Sequence, residues 1–172
     1  ENERINAIAV DGGNRKWIGT QSSGILLVSE DGMETIAHFT TDNSPILSNN
    51  IKCLAINSAT GEVFIGTDKG LVSYMGDAVE GKDDYSEIRA FPNPVRPESD
   101  DRVTITGLME RSNVKITDLN GHIIYQGTSV GGQLTWNCRN RKGERVASGI
   151  YLVLAATQDA GESVVTKIMI IK

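Results

Sequence analysis

The sequence contains an internal repeat, and this repeat constrains the fold more than any other feature. Residues 5–28 and residues 51–74 carry the same order of extended runs and turn signals. The copies stay in register at an offset of 46 or 47 residues, as three equivalent pairs show: Ile5 and Ile51, Gly19 and Gly66, and Gly24 and Gly70. Because the one-residue changes in offset fall in turns, the two copies are predicted to be structural repeats.

Short strands that recur with a period in the mid-forties are typical of β-propeller blades. Each copy has three strand-like runs, and a fourth, outer strand is predicted for each, at residues 35–39 and 85–90. The repeats therefore predict two blades, at about residues 5–41 and 51–90, within a first domain that covers residues 1–90.

Two positions within the repeat predict how the blades pack. Trp17 and Phe64 are equivalent, and a large ring at this position can fill the gap between neighbouring blades. Gly19 and Gly66 follow two residues later, and a glycine inside a strand permits close approach of the adjoining sheet. We therefore expect all four residues in the cores between blades.

The second copy resembles a known family, the two-component regulator propeller repeat. The resemblance rests on the opening Leu47-Ser48-Asn49-Asn50-Ile51 and on a later W-I-G-T-x-x-G-L run, which here reads Phe64-Ile65-Gly66-Thr67-Asp68-Lys69-Gly70-Leu71. Phe64 replaces the usual Trp. The resemblance covers roughly residues 4–75 and implies a propeller that binds protein or glycan.

Two blades do not close a propeller, which needs about four to eight. We therefore expect upstream propeller blades in a longer, full-length protein. Open blade faces are large apolar patches, and such patches attract partners. For this reason we also expect self-association of the 172-residue chain.

The pattern changes at Phe91-Pro92-Asn93-Pro94, because both prolines lack an amide donor and restrict the residues before them. We place the domain boundary there, so that a second domain covers residues 91–172. Its strand signals are separated by turns and lie at residues 103–106, 114–117, 123–126, 133–137, 150–155 and 164–171. They predict an immunoglobulin-like antiparallel β-sandwich. The predicted fold class is therefore all-β, a partial propeller of two blades followed by a sandwich.

An ordered series of motifs in this second domain resembles the C-terminal sorting domain of cargo of the type IX (Por) secretion system. The series consists of Phe91-Pro92-Asn93-Pro94-Val95, Val114-Lys115-Ile116-Thr117-Asp118-Leu119-Asn120-Gly121, Trp136-Asn137, Val146-Ala147-Ser148-Gly149-Ile150-Tyr151-Leu152-Val153, and Thr166-Lys167-Ile168-Met169-Ile170-Ile171-Lys172. The sorting-signal candidates are therefore Pro92, Asn93, Pro94, Gly149, Tyr151, Lys167 and Lys172. We expect Gly149 in a turn that disfavours a Cβ, Tyr151 as an anchor, and the last strand, from Lys167, as the recognised edge.

Together the two resemblances imply an exported, non-catalytic protein at the outer-membrane surface or in the periplasm, whose C-terminal domain serves secretion, sorting or surface attachment. The secretion machinery or a surface polysaccharide would be its partner. Two alternatives remain: a periplasmic glycan-sensing ectodomain of a hybrid two-component receptor, or a sandwich that only caps the propeller. A receptor would need a membrane span, whereas Ile168–Ile171 falls far short of the roughly 20 apolar residues that a span requires. No transmembrane segment is predicted.

The charge distribution and the reactive side chains also favour a non-catalytic protein that does not bind nucleic acid. Residues 1–88 carry 6 Lys/Arg against 14 Asp/Glu, and residues 89–172 carry 11 against 8. An acidic propeller face argues against a nucleic-acid partner. No Cys/His pattern has zinc spacing, and His38 and His122 are expected to face solvent. We predict no metal, no cofactor and no enzymatic activity.

Overall fold

The computed structural model describes residues 3–98, 102–157 and 163–171. Within these residues every regular element is a strand, the sheets are antiparallel, no helix is present and no sheet closes on itself. The fold is thus all-β, as the sequence predicted. Contacts divide the chain into two units, Glu1–Glu80 and Gly81–Lys172.

The first unit contains two sheets, one for each copy of the repeat. The first sheet has the order β1-β2-β3-β4 and consists of β1 (Ile5–Val10), β2 (Lys16–Thr20), β3 (Ile25–Val28) and β4 (Thr35–Phe39). The second sheet has the order β5-β6-β7 and consists of β5 (Ile51–Asn57), β6 (Glu62–Thr67) and β7 (Gly70–Met75). Strands β1 to β3 are equivalent to β5 to β7, so the sequence repeat is also a repeat of structure.

One face of each sheet in this unit is buried against the other sheet. The shared core contains Trp17, Ile25 and Leu27 from the first sheet and Ile51, Val63 and Ile65 from the second. At the rim, the Asn6 side chain donates to the Ile51 carbonyl at 2.9 Å. Because successive side chains of a strand point to opposite faces, the apolar side chains lie on one face of each sheet, where the two sheets bury them.

The second unit also contains two sheets. One has the order β11-β10-β13-β14, and the other has the order β12-β9-β8. Their strands are β8 (Arg89–Phe91), β9 (Val103–Thr106), β10 (Asn113–Thr117), β11 (Ile123–Thr128), β12 (Gln133–Trp136), β13 (Gly149–Ala156) and β14 (Ser163–Ile170). Side chains from both sheets form one buried cluster around Trp136, which is fully buried.

The outer strand predicted for the second repeat at residues 85–90 does not form there. Residues Arg89–Phe91 instead form β8 and pair with β9 of the second unit. Tyr85 bonds Ser112 through their hydroxyls at 2.9 Å, and the Lys82 amide donates to the Leu108 carbonyl at 2.9 Å. These bonds hold residues 81–90 within the second unit, whereas the sequence placed them with the blades.

Candidate functional site

The C-terminal strand β14 lies at the edge of its sheet, and a short segment from the other end of the unit covers that edge. This segment, residues 93–95, is called the strap below. The Asn93 side chain donates to the Lys167 carbonyl at 2.8 Å and accepts from the Met169 amide at 2.9 Å. The Val95 amide then donates to the Met169 carbonyl at 2.8 Å, and the Val95 carbonyl accepts from the Ile171 amide at 2.9 Å. The edge is therefore sealed from Lys167 to Ile171.

The local sequence explains why a side chain takes part in this ladder. Pro92 and Pro94 have no amide hydrogen, so they cannot donate to β14. A carboxamide carries both a donor and an acceptor, and the Asn93 side chain therefore replaces the backbone of a paired strand. Val95 is fully buried in the core and anchors the strap beneath. The strap brings three of the predicted residues, Pro92, Asn93 and Pro94, to the last strand.

The prediction that the last strand presents a free edge from Lys167 onward is wrong for the part of β14 that the structure describes. The outward backbone groups of Lys167 and Met169 are occupied by the strap. Lys172 lies outside the described residues. What β14 offers instead is the side of its sheet that faces away from the core.

That outward side, called the outer face below, contains Ile150 and Leu152 of β13 and Lys167 and Met169 of β14. Ile150 pairs with Met169, and Leu152 pairs with Lys167. Ile150 and Met169 are exposed, although both are apolar. An apolar pair beside an exposed lysine is thus the chemistry that the C-terminal strands present to the surroundings.

Tyr151 is buried near the start of β13, and its role as a sorting-signal residue stays a prediction. Its ring is buried and packs edge-on against Trp136, with ring centroids 5.8 Å apart, and its hydroxyl donates to the Ala147 carbonyl at 2.9 Å. Burial, followed by the nearby carboxylate of Asp118, raises the pKa of the Tyr151 hydroxyl. The phenol therefore fixes the start of β13 to the core.

The prediction for Gly149 is wrong. This residue lies at the start of strand β13, paired with Ile170, and not in a turn. A Cβ there would meet no heavy atom closer than the Tyr151 ring at 4.0 Å. Because that distance is an ordinary contact, the structure itself does not require glycine at this position.

In the first unit, Trp17 and Gly19 lie where the repeat predicted. Trp17 is 1% exposed, stacks on Phe39 of its own sheet and touches Tyr74 of the other sheet, with centroids 5.7 and 5.8 Å apart. A Cβ on Gly19 would lie 2.5 Å from Cγ2 of Ile51, which belongs to the adjoining sheet. Both residues therefore belong to the core between the two sheets.

Their equivalents in the second repeat have different surroundings. Phe64 is 37% exposed and does not fill a gap between sheets. A Cβ on Gly66 would lie 2.4 Å from Sγ of Cys53, which is on the neighbouring strand of the same sheet. Within the described residues, no further sheet packs on the face of the second sheet that carries Phe64 and Gly66. The prediction that these two residues lie in a core between blades is therefore wrong for this part of the chain.

Sequence reasoning missed a buried ion pair in the first unit. The Asp11 carboxylate accepts from Arg15 Nε at 2.8 Å and from Trp17 Nε1 at 3.1 Å, and Arg15 Nη2 reaches Asp77 at 2.6 Å. Asp11 and Arg15 are both buried. The spacing Asp-x-x-x-Arg-x-Trp could have indicated it, since alternate residues of a hairpin share a face.

The two histidines make local contacts. His38 Nε2 lies 2.6 Å from the Ser23 carbonyl, and His122 Nδ1 lies 2.9 Å from the Asp118 carboxylate. The hydrogen bonds from His122 lower the pKa of the partly exposed Asp118. Among the described residues, no group of three or more His, Cys, Asp or Glu side chains could hold a metal ion, and no helix could cross a membrane.

Residues 89–172 match the family described as secretion system C-terminal sorting domain. This match confirms the resemblance that the ordered motifs predicted. A domain of this class marks an exported protein, located at the outer-membrane surface or in the periplasm, as the sequence also predicted.

The whole chain is similar to PorZ of Porphyromonas gingivalis, described as an essential bacterial surface component of the type IX secretion system. The identity is 40%, the TM-score is 0.66, and the alignment covers 99% of this chain and 23% of PorZ. The chain thus spans less than a quarter of that protein. A comparison with curated proteins gives no match.

Two further solved structures are less similar. Dimeric latent PorU from P. gingivalis is 17% identical over 68% of this chain and 13% of PorU, with a TM-score of 0.38. The extracellular domain of a hybrid two component system from B. thetaiotaomicron is 12% identical over 100% of this chain and 26% of its own length, with a TM-score of 0.35.

Proposed function

We propose that residues 81–172 form a sorting domain that a type IX secretion apparatus reads, and that the first unit is a pair of propeller blades that bind protein or glycan. The sorting unit would be an immunoglobulin-like sandwich, and neither unit would be catalytic. The match of residues 89–172 to the sorting-domain family supports this proposal, as does the similarity to PorZ.

The observation that carries the proposal is the sealed edge of β14. Since the strap occupies the backbone groups from Lys167 to Ile171, the machinery cannot add a strand there without displacing it. Recognition would therefore use side chains of the outer face. Ile150 and Met169 are exposed on this face and can supply apolar contacts to a partner.

The test is a reporter fused to residues 81–172 behind an export signal, in a bacterium with a type IX apparatus. We expect delivery of the reporter to the surface, and loss of delivery when Lys167–Lys172 is deleted. A point variant, Met169→Glu, should also reduce delivery, because it places a charge in the middle of the outer face.

A matched control is Thr135→Glu, which places the same charge on an exposed position of β12 in the opposite sheet. Delivery should not change in this control. Delivery that survives deletion of Lys167–Lys172 would refute the sorting role and leave the domain as a structural cap. Equal loss in both Glu variants would show that charge, and not the outer face, is responsible.

A further inference from the structure

The outer face lies on the four-stranded sheet of the second unit, and apolar side chains form a ridge along its strand β13. Every second residue of this strand is buried in the core, namely Tyr151, Val153 and Ala155. Because successive side chains of a strand point to opposite sides, Ile150, Leu152 and Leu154 all face away from the core. These three residues are called the ridge below. Along the strand they are about 6.8 Å apart, which is twice the rise per residue.

One lysine flanks the ridge on each side. Lys115 of β10 is paired with Leu154, and Lys167 of β14 is paired with Leu152. Both lysines lie on the same side of the sheet as the ridge, because the residue that follows each of them in its strand is buried in the core. Neighbouring strands are about 4.8 Å apart, so the two lysines stand close beside the ridge, one to the left and one to the right.

The strands of this sheet contain no acidic residue. Together β10, β11, β13 and β14 contain two lysines and neither Asp nor Glu. The carboxylate of Asp118, in the turn after β10, is bonded to the backbone amide and the ring of His122 in the same turn. The outer face is therefore apolar along its middle and cationic on both flanks. It complements a surface that is apolar along its middle and acidic on both flanks.

An amphipathic α-helix has the dimensions of such a surface. Residues at positions i, i+4 and i+8 of a helix lie on one face and are about 6 Å apart along the axis, close to the spacing of the ridge. A helix is about 10 Å across, so the side chains on its two flanks would lie above the strands that carry the lysines. Helices commonly cover the apolar face of a sheet, and the residues that the structure describes contain no helix that could do so.

The outer face is less suited to a lipid bilayer. Segments that lie on membranes use several cations together with aromatic side chains at the level of the headgroups. The outward side chains of β13 and β14 are aliphatic or polar, and the single aromatic residue of these strands, Tyr151, is buried in the core. A protein partner therefore fits this face better than a membrane does.

We propose that the outer face binds an amphipathic α-helix of a partner protein, which lies along β13 with its apolar stripe on the ridge and with carboxylates on its flanks paired to Lys115 and Lys167. The apolar contact supplies affinity, and the two lysines select an acidic helix and orient it. This proposal rests on the sorting role proposed above, under which the helix belongs to the secretion apparatus.

The probe is a synthetic peptide of about 18 residues, long enough to form a helix in water. It carries leucines at i, i+4 and i+8 with glutamates on both sides of them, and it is titrated into the full chain by calorimetry. We expect saturable binding that weakens as salt is added, because salt screens the lysine pairs. Lys115→Glu, Lys167→Glu and Ile150→Ser should each weaken binding about tenfold, a loss of about 1.4 kcal/mol.

A second peptide, with lysines in place of the glutamates, tests the charges by reversal. It should not bind the wild type, but it should bind the double variant Lys115→Glu with Lys167→Glu. Such a gain cannot come from a variant that fails to fold. Arg89→Glu is the control, because it makes the same change of charge at an exposed position of the opposite sheet. It should leave binding of the acidic peptide unchanged.

Three results would overturn the proposal. The first is an acidic peptide that does not bind, and the second is binding that Lys115→Glu and Lys167→Glu both leave intact. The third is a chain that binds vesicles of phosphatidylserine and phosphatidylcholine in place of the peptide and loses this binding in the same two variants, because the outer face would then serve a membrane.

The reporter assay separates this proposal from the sorting role. Delivery that is lost in Met169→Glu, in a chain that binds no acidic peptide, would retain the sorting role and overturn the helix site alone. Delivery that survives deletion of Lys167–Lys172, in a chain that binds the peptide, would refute the sorting role and retain a helix-binding face.

Discussion

Two strand glycines, Gly19 of β2 and Gly149 of β13, have opposite structural requirements. A methyl group on Gly19 would collide with Ile51, whereas one on Gly149 would meet only the Tyr151 ring, at an ordinary contact distance of 4.0 Å. We expect Gly19→Ala to destabilise the first unit by about 1–3 kcal/mol through overpacking. Gly149→Ala should stabilise the second unit by about 0.5–1 kcal/mol, since a strand glycine costs backbone entropy.

Urea unfolding followed by tryptophan fluorescence can measure both glycine variants. The chain has two tryptophans, and Trp17 reports on the first unit while Trp136 reports on the second. Each variant should shift only the transition of its own unit. A destabilising Gly149→Ala would contradict the room for a methyl group at this position.

The buried hydroxyl of Tyr151 gives the second unit a pH dependence. Burial raises its pKa in the folded state, so the folded state holds this proton more tightly than the unfolded state. The resulting stability is complete below the unfolded pKa of tyrosine and is lost as the pH rises through the folded pKa. At neutral pH, Tyr151→Phe should cost about 0.5–1.5 kcal/mol for the lost bond to Ala147.

This difference between the wild type and Tyr151→Phe should shrink above about pH 10, where tyrosine titrates. Urea midpoints of the Trp136 transition at neutral and alkaline pH measure it. A constant difference across this range would show that Tyr151 does not carry the alkaline dependence.

Among the elements, the strap can be tested by changing one side chain. Asn93→Ala removes two hydrogen bonds to β14, and we expect a loss of about 1–3 kcal/mol in the second unit. Asn93→Asp keeps the acceptor for the Met169 amide but sets a carboxylate against the Lys167 carbonyl, so it should cost at least as much. Amide exchange at Met169 that is faster in Asn93→Ala but not in Asn93→Asp would show that the strap protects this amide through the Asn93 side chain.

The strands themselves were largely predictable from the sequence, whereas their partners were not. Apolar alternation and turn residues fixed thirteen of the described strands without help from the tertiary structure, and the sequence also suggested a fourteenth, near residue 88. The sequence predicts that strand in the wrong sheet, because its short apolar pattern does not select between two sheet edges. Its pairing depends on Tyr85 and Lys82, whose contacts lie more than twenty residues away along the chain.

The candidate site was predictable in its residues but not in its geometry. The motif Pro92-Asn93-Pro94 and the last strand were both identified, yet nothing in the sequence shows that one covers the other. The carboxamide of Asn93 acts as a strand backbone, and such a role depends on the approach of a distant segment. The opposite outcomes at Gly19 and Gly66 have the same origin, since only the three-dimensional neighbours differ.

For the whole molecule, the position of residues 81–90 predicts which fragment folds. Residues 81–172 contain β8, Lys82 and Tyr85, and we expect this fragment to fold with a buried Trp136. A fragment of residues 91–172 lacks these contacts and should be less stable by about 3 kcal/mol or more, from lost hydrogen bonds and apolar burial. Equal urea midpoints for the two fragments would favour a boundary at residue 91.

The chain as a whole should self-associate through the first unit. Ile8 and Val10 are exposed on β1, and they are equivalent to Leu54 and Ile56, which pack into the core around Trp17. The face of β1 that carries Ile8 and Val10 on a second copy can therefore pack against Phe64 of the first. Light scattering at tens of micromolar should show a dimer or larger species, and Ile8→Lys with Val10→Lys should give a monomer. A monomeric wild type would contradict this.

The strap also has a consequence for synthesis. Asn93 and Lys167 are 74 residues apart, so the contact that seals the last strand joins nearly the two ends of its unit. Contacts of such long sequence separation form late in folding. A nascent chain therefore cannot close this unit until its final strand has been made, and a product cut short within β14 loses its seal and its outer face together. Under the proposed sorting role, such a chain would also lack the surface that the secretion apparatus reads, so the position of the strap makes export conditional on a complete β14.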